Sequence, residues 1–340
     1  MTIARRAPLQ LSVHMETLPL ARAFHITGYT FTHSEMLVVS LQEGDHVGRG
    51  EGLGVYYRDD TPSGMLQQIE AVRGTIEAGI TREQLSGLLA QGGARNALDC
   101  ALWDLDAKRR GKPVWQLAGM PEPQPLTTTF TLSADAPDVV AESARRYPEA
   151  RALKLKLAND ALNAARIRAV RSVSPDAWLM VDANQGLTRE SLMQLGPTLL
   201  DANVAVVEQP FPLGREAWFD DVDCPVPLAA DESVQGETDL PGLVDRVQVI
   251  NIKLDKCGGL TAGLALARRA RELGFEVMVG NMGGSSWSMA PAFVLGSLCS
   301  VVDLDGPVFL RGDREPGVRY SDGQVWCPDA VWGGVDTVAA

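Results

Sequence analysis

The chain has no excess of positive charge: 31 Lys and Arg face 43 Asp and Glu, a formal net charge of −12, which argues against a nucleic-acid partner. No apolar run approaches the roughly 20 residues that cross a bilayer. The start, Met1-Thr-Ile-Ala-Arg-Arg-Ala-Pro8, leads into a broken pattern instead of an apolar signal core. No membrane partner and a cytoplasmic location are therefore expected. Cysteine pairs are missing as well. The five cysteines, Cys100, Cys224, Cys257, Cys299 and Cys327, are odd in number, far apart and without a CxxC spacing, so free thiols are expected. Histidine is absent beyond His46, all four (His14, His25, His33, His46) lying before it. Proton chemistry in the rest of the chain falls to Lys, Asp, Glu, Tyr or Cys, and no histidine-based triad is expected.

What remains is a globular composition, 45% hydrophobic over 340 residues, enough for a buried core and about two domains. Glu35–Gln42 is rich in strand formers, and five glycines between Gly44 and Gly54 suggest a hairpin followed by an irregular loop. Gly64–Gly79 reads as a helix with Met65, Ile69, Val72 and Ile76 on one face. Thr81-Arg-Glu-Gln84 reads as a capping-box start, and Ala94–Arg110 as a further helix. The prolines of Pro121-Glu-Pro-Gln-Pro125 mark a boundary, so residues 1–120 form one domain and residues 121–307 another.

After the boundary, strand-like runs alternate with helical stretches: Leu126–Leu132, Ala152–Leu157, Trp178–Asn184, Val204–Pro210, Pro227–Ser233, Val249–Asp255, Glu276–Met282 and Ser300–Pro307. Helices are expected at Thr188–Leu200 and Thr261–Gly274, the latter capped by its threonine. Eight such units imply parallel strands closed into a TIM-like (β/α) barrel. The tail, residues 308–340, lacks an eighth helix and is expected to pack back on the first domain.

Chemistry in such a barrel sits at the C-terminal strand ends. Lys156, Asp182, Glu208, Asp231 and Lys253 fall there at intervals of 22 to 26 residues, one βα unit each. A single charged strand end reads as a cap or a rim ion pair; five in succession do not. Asp182, Glu208 and Asp231 come from adjacent strands, and three converging carboxylates need a hard cation, which suits Mg²⁺. Lys154 and Lys156 share a face of the second strand, opposite Lys253 on the sixth. Such a pair suits removal of a proton from one face of a carbon and its return to the other, provided Lys154 and the cation lower the lysine pKa by charge repulsion. Lys256 is expected in the loop. Asp303 and Asp305 share a face of the eighth strand, across from the cation, and suit a substrate ammonium group.

The runs Lys154-Leu-Lys156, Val181-Asp-Ala-Asn184, Val207-Glu-Gln-Pro210, Ala230-Asp-Glu-Ser233 and Asn251-Ile-Lys-Leu-Asp-Lys-Cys-Gly-Gly259 resemble the muconate-lactonizing subgroup of the enolase superfamily. Ala94–Leu105 and Asp303-Leu-Asp-Gly-Pro307 further resemble its dipeptide epimerases, typified by enzymes of L-Ala-D/L-Glu. The resemblance spans nearly the whole chain and implies a (β/α)7β barrel under an N-terminal α+β capping domain. It implies Asp182, Glu208 and Asp231 as Mg²⁺ ligands, Lys156 and Lys253 as acid/base pair, and Lys154 as enolate stabiliser. Asp303 and Asp305 would hold the α-ammonium of a dipeptide substrate. The activity implied is epimerisation at Cα of the C-terminal residue by 1,1-proton transfer. An N-acylamino acid racemase, an L-Ala-D/L-Glu epimerase and a non-catalytic dipeptide-binding protein are the alternatives, and a homo-oligomer stays open.

One departure bears on the substrate. In the Ala-Glu members a loop near the N-terminus carries an arginine that can pair with the glutamate side chain. The comparable stretch here, Ala23–His33, has no Arg or Lys, while Tyr29 and Phe31 offer aromatic surface. Uncharged, hydrophobic dipeptides are therefore expected over L-Ala-L-Glu. Arg22 or Arg58 could take over the pairing, and Asp59 with Asp60 could favour a cation instead.

Overall fold

The computed structural model describes residues 8–335. Strands β1 (Gln10–Ile26), β2 (Tyr29–Glu43) and β3 (His46–Gly52) form an antiparallel sheet in that order. β1 is invisible to hydrophobic pattern because most of its residues are exposed or half-exposed. β3 occupies the segment expected as an irregular loop. Its glycines explain the difference: Gly48, Gly50 and Gly52 alternate onto one face, where a Cβ would overlap the Ala101, Ala97 or Gly93 carbonyl oxygens of a helix lying flat on the strand.

The expected helix at Gly64–Gly79 is two, α1 (Pro62–Ala71) and α2 (Arg73–Glu77), broken at Val72. The Arg73 guanidinium there gathers Glu70, Glu77 and the Leu11 carbonyl. α3 (Arg82–Leu88) starts with the expected capping box between Thr81 and Gln84. α4 (Gly93–Arg110) is the helix laid on β3, and the short α5 (Val114–Leu117) follows.

β4 (Leu126–Thr127) and β5 (Thr129–Leu132) lead into α6 (Pro137–Arg145), β6 (Ala152–Lys156), α7 (Asn163–Val173), β7 (Trp178–Asp182), α8 (Arg189–Asp201), β8 (Val204–Glu208) and β9 (Leu228–Ala230). β10 (Val249–Ile252), α9 (Leu254–Cys257), α10 (Leu260–Glu272), β11 (Glu276–Val279), α11 (Ser286–Gly296) and β12 (Val301–Val302) complete the series. β5 to β12 make one parallel sheet of eight strands in sequence order. The crossovers after β8 and β9 carry only 3₁₀ turns, Glu216–Asp221 and Glu237–Gly242, in segments interrupted by Pro212, Pro225, Pro227 and Pro241.

Side chains stitch β5 to β12. Leu304 N–H donates to Thr128 Oγ1 (3.0 Å), Thr129 Oγ1 to Asp303 Oδ1 (2.7 Å) and Thr131 N–H to Asp305 Oδ2 (2.6 Å). Inside the barrel, Met180, Val206, Ala229, Val249, Met278 and Val301 form an apolar floor. Two residues on, where strand alternation returns the side chain to the interior, come Asp182, Glu208, Asp231, Asn251 and Asp303.

The expected threonine cap of α10 is replaced by a capping contact from α4. Gly259 occupies the cap position, and Asp99 accepts from Thr261 N–H (2.9 Å) and Thr261 Oγ1 (2.6 Å). The tail divides its contacts. β14 (Gln324–Trp326) pairs with β4 on one side and with β13 (Arg319–Ser321) on the other, while Arg311 N–H reaches Pro19 O and Trp332 Nε1 reaches Arg49 O. Among the described residues no helix is long and apolar enough to cross a membrane.

Candidate active site

Register aligns Lys156 with Asp182 and Asp182 with Glu208, so three consecutive strands end in one charged row. Asp231 and Lys253 stand one residue past β9 and β10, and Asp303 one past β12. The carboxylates of Asp182, Glu208 and Asp231 lie within 4.8 Å of one another, fully buried. Lys154 Nζ is 2.7 Å from Glu208 Oε2, 2.8 Å from Asp303 Oδ2 and 3.1 Å from Asp182 Oδ2. Lys156 Nζ lies 2.6 Å from Asp182 Oδ2, and Lys253 Nζ 2.7 Å from Asp231 Oδ2.

A cavity of about 360 Å³ opens above this row. Lys154, Lys156, Lys253, Asp303, Asp305 and Phe31 all line it. Tyr29 does not; it is exposed and stacks outside Phe31, and Tyr56 takes the inner position, 5.4 Å from Phe31. Arg22 and Arg58 are exposed and lie outside the lining. Asp60 is in it, but its Oδ2 already accepts Gly93 N–H at the start of α4 (2.8 Å).

Lys256 is not in a loop. The turn of α9 buries it, and its Nζ bonds Asp231 Oδ1 (2.5 Å) and Asn251 O (3.0 Å). Sequence spacing concealed it because a four-residue helix leaves no periodicity. Asn251, whose Nδ2 donates to Glu208 Oε1 (2.7 Å), and buried Glu232 also belong to the site.

Six buried acids (Asp182, Glu208, Asp231, Glu232, Asp303, Asp305) thus face four buried lysines. The imbalance is visible in the titration of the acids. Burial and Asp182 push Glu208 up to about 7, burial and Asp231 push Glu232 up to about 8, and burial and Asp303 push Asp305 up to about 7. Asp182 goes the other way, to about 2: burial opposes its ionisation, but Lys156 and Lys154 outweigh it. Burial would lower Lys154 and Lys253, yet the surrounding carboxylates raise both well above the usual lysine range. The lowering expected from the sequence is that of the acid/base lysine beside both a bound cation and Lys154, a different charge balance from this one. An excess of two acids over lysines, three converging carboxylates and no His or Cys among them fit a hard divalent cation. The buried Glu208 Oε2, which takes no hydrogen bond of good geometry, fits it also.

The enolase C-terminal domain-like family matches residues 138–336, and the mandelate racemase / muconate lactonizing enzyme N-terminal domain family matches residues 9–119. The L-Ala-D/L-Glu epimerase of Escherichia coli (strain K12) is 38% identical over 93% of this chain and 98% of its own. The chain belongs to the dipeptide epimerases of the enolase superfamily. It is therefore an isomerase, with the superfamily's barrel and N-terminal domain. Solved structures of such epimerases superpose closely. One is an enolase family member from Agrobacterium tumefaciens with homology to dipeptide epimerases, holding sodium and L-Ala-L-Glu. It is 38% identical with a TM-score of 0.93, covering 96% of this chain and 100% of that one. Another is the dipeptide epimerase of Methylococcus capsulatus with Mg and L-Arg-D-Lys, 28% identical with a TM-score of 0.87, covering 94% and 96%.

Proposed function

We propose that the protein is a Mg²⁺-dependent epimerase that inverts Cα of the C-terminal residue of a dipeptide, preferring uncharged, apolar side chains. The observation that carries this reading is the pair Lys156 and Lys253. They rise from strands four apart in an eight-stranded barrel and line one cavity beside the carboxylate triad. Asp182, Glu208 and Asp231 would hold Mg²⁺, which supplies positive charge for the substrate carboxylate and for the negative charge that develops as Cα loses its proton.

One lysine, as free amine, takes the Cα proton from one face; the opposite ammonium delivers a proton to the other face, and the configuration inverts. Lys154, buried among Asp182, Glu208 and Asp303, keeps a fixed positive charge beside the developing oxyanion. Asp305 has no cation within ion-pair distance among the described residues and lines the cavity, so it suits the substrate α-ammonium. That carboxylate argues against N-acylated amino acids, which offer no ammonium.

Identity to the Escherichia coli enzyme supports a second reading, L-Ala-L-Glu as preferred substrate. Against it stands a cavity lined, among the described residues, by no Lys or Arg other than the three lysines engaged with the acids. Incubation of dipeptides with Mg²⁺ in deuterated water, followed by proton NMR, tests the activity. Loss of the Cα proton signal with appearance of the epimer is expected. Binding without exchange would mean a receptor. Lys156→Ala and Lys253→Ala should each abolish net epimerisation while retaining exchange of one stereoisomer.

A further inference from the structure

The two acid/base lysines are not held alike. Lys156 ends β6 inside the ladder, paired with Asp182 of β7. Lys253 stands beyond the last ladder pair of β10, Ile252 with Val279, so strand pairing does not fix it. The N-terminal domain grips the segment that follows instead. Asp255, two residues on and buried, accepts at Oδ1 from Leu53 N–H (2.9 Å), Gly54 N–H (3.1 Å) and Asn96 Nδ2 (3.1 Å). Arg95 of α4 donates through Nε to Gly258 O (3.2 Å) and through Nη2 to Cys257 O.

The grip is reciprocal. Glu51, buried at the end of β3, accepts from Ser285 N–H (2.8 Å) and from the Ser285 hydroxyl, at the start of α11. The stretch Glu51–Gly54 is thus held by a carboxylate at each end, one given by the N-terminal domain and one received from the barrel. Leu53 and Gly54 themselves line the cavity that Lys253 enters.

We propose that this clamp makes Asp255 a positioning residue for Lys253, so that the N-terminal domain sets the alignment of one acid/base lysine and leaves the other to the sheet. Misplacement of a reacting group by about 1 Å costs on the order of a hundredfold in rate. Loosening the clamp therefore slows proton transfer on one face of the substrate only. A residue that merely stabilised the fold would affect both faces together.

The inference rests on the two-base reading, and the test separates the two. Exchange into each stereoisomer in deuterated water is assigned to its lysine with Lys156→Ala and Lys253→Ala. Asp255→Ala should then lower initial exchange of the Lys253-dependent isomer about tenfold or more and leave the other within about twofold. Asp255→Asn keeps an acceptor for Leu53 and Gly54 and should restore most of the loss. Equal loss on both isomers, or none, overturns the clamp. Should Asp255→Ala lack a folded circular dichroism spectrum, Asn96→Ala removes one of the three donors to Asp255, together with its contacts to Glu51 O and Cys100 Sγ, and must produce the same one-sided loss, a symmetric one being fatal. Exchange that survives in the Lys156→Ala, Lys253→Ala double variant overturns the two-base reading itself.

Discussion

Lys154 Nζ donates to Asp303 Oδ2 across 2.8 Å, and both residues are buried. Asp303 Oδ1 is occupied in turn by the Thr129 hydroxyl at 2.7 Å, so this aspartate already has a cation and a role in closing the barrel seam. Asp305, two residues on, accepts Thr131 N–H and has no cation within ion-pair distance among the described residues. Two acids that look equivalent in sequence are therefore expected to respond differently. Asp305→Asn should lower kcat/KM for dipeptides by about 1.5–3 kcal/mol, the value of a charged hydrogen bond, and spare N-acetylated analogues. Asp303→Asn should impair both substrate kinds, because it removes one of the three carboxylates that hold Lys154. Steady-state kinetics on matched free and N-acetylated substrates check this; equal losses from Asp305→Asn would remove the ammonium role.

The carboxylate triad makes a second prediction. With two more acids than lysines in the mouth, divalent-ion binding should be measurable without substrate and should depend on each ligand. Asp182→Asn and Glu208→Gln should each weaken Mn²⁺ binding, followed by electron paramagnetic resonance, at least about tenfold. Chelation of the parent protein should abolish epimerisation and Mg²⁺ restore it. Undiminished binding in both variants would assign the ion elsewhere.

The charged row was legible in the sequence because strand alternation is rigid: once Val181 and Val207 face the helices, Asp182 and Glu208 must face the barrel interior. What escaped were features without a period. Lys256 reaches Asp231 only because Gly258, at φ +85°, ends a four-residue helix. Gly48 and Gly50 belong to a strand because α4 covers them, and nothing local says so. No spacing in the sequence links Glu51 with Ser285, or Asp255 with Leu53 and Gly54. Such contacts join positions some 200 residues apart, which no local pattern encodes.

Asp99 ties α4 to α10, and its burial has a sign that stability measurements can read. Burial raises its carboxyl to about 6, although Thr261 donates to it. An unfolded aspartate titrates near 3.9. Between those values the native state keeps the proton that the unfolded state has lost, so stability falls as pH rises through this window. Two pH units correspond to about 3 kcal/mol. Asp99→Asn retains an acceptor for Thr261 and lacks this titration. From pH 4, where the unfolded aspartate is already half ionised, to pH 7 the unfolding free energy of the variant should therefore gain about 2 kcal/mol on the parent. Urea unfolding at both pH values checks it, and a gap independent of pH would refute the burial argument.

On the proposed reading, substrate preference turns on Phe31 and Tyr56, whose rings meet at 5.4 Å on the cavity wall with no guanidinium in the lining among the described residues. A glutamate side chain entering there loses water without gaining an ion pair, whereas an apolar side chain gains from burial. Among the described residues the Lys and Arg side chains in the lining are Lys154, Lys156 and Lys253, which are engaged with acids of the row and to which the proposed mechanism assigns other work. Across a dipeptide library, uncharged C-terminal residues, aliphatic and aromatic ones first, should give the highest kcat/KM. L-Ala-L-Glu should rank below them by about one to two orders of magnitude, the worth of a missing charged contact. Phe31→Arg should narrow that gap by raising kcat/KM for L-Ala-L-Glu while lowering it for apolar dipeptides. If L-Ala-L-Glu ranks first for the parent protein, the charge is paired by a group outside the lining and the apolar preference is wrong.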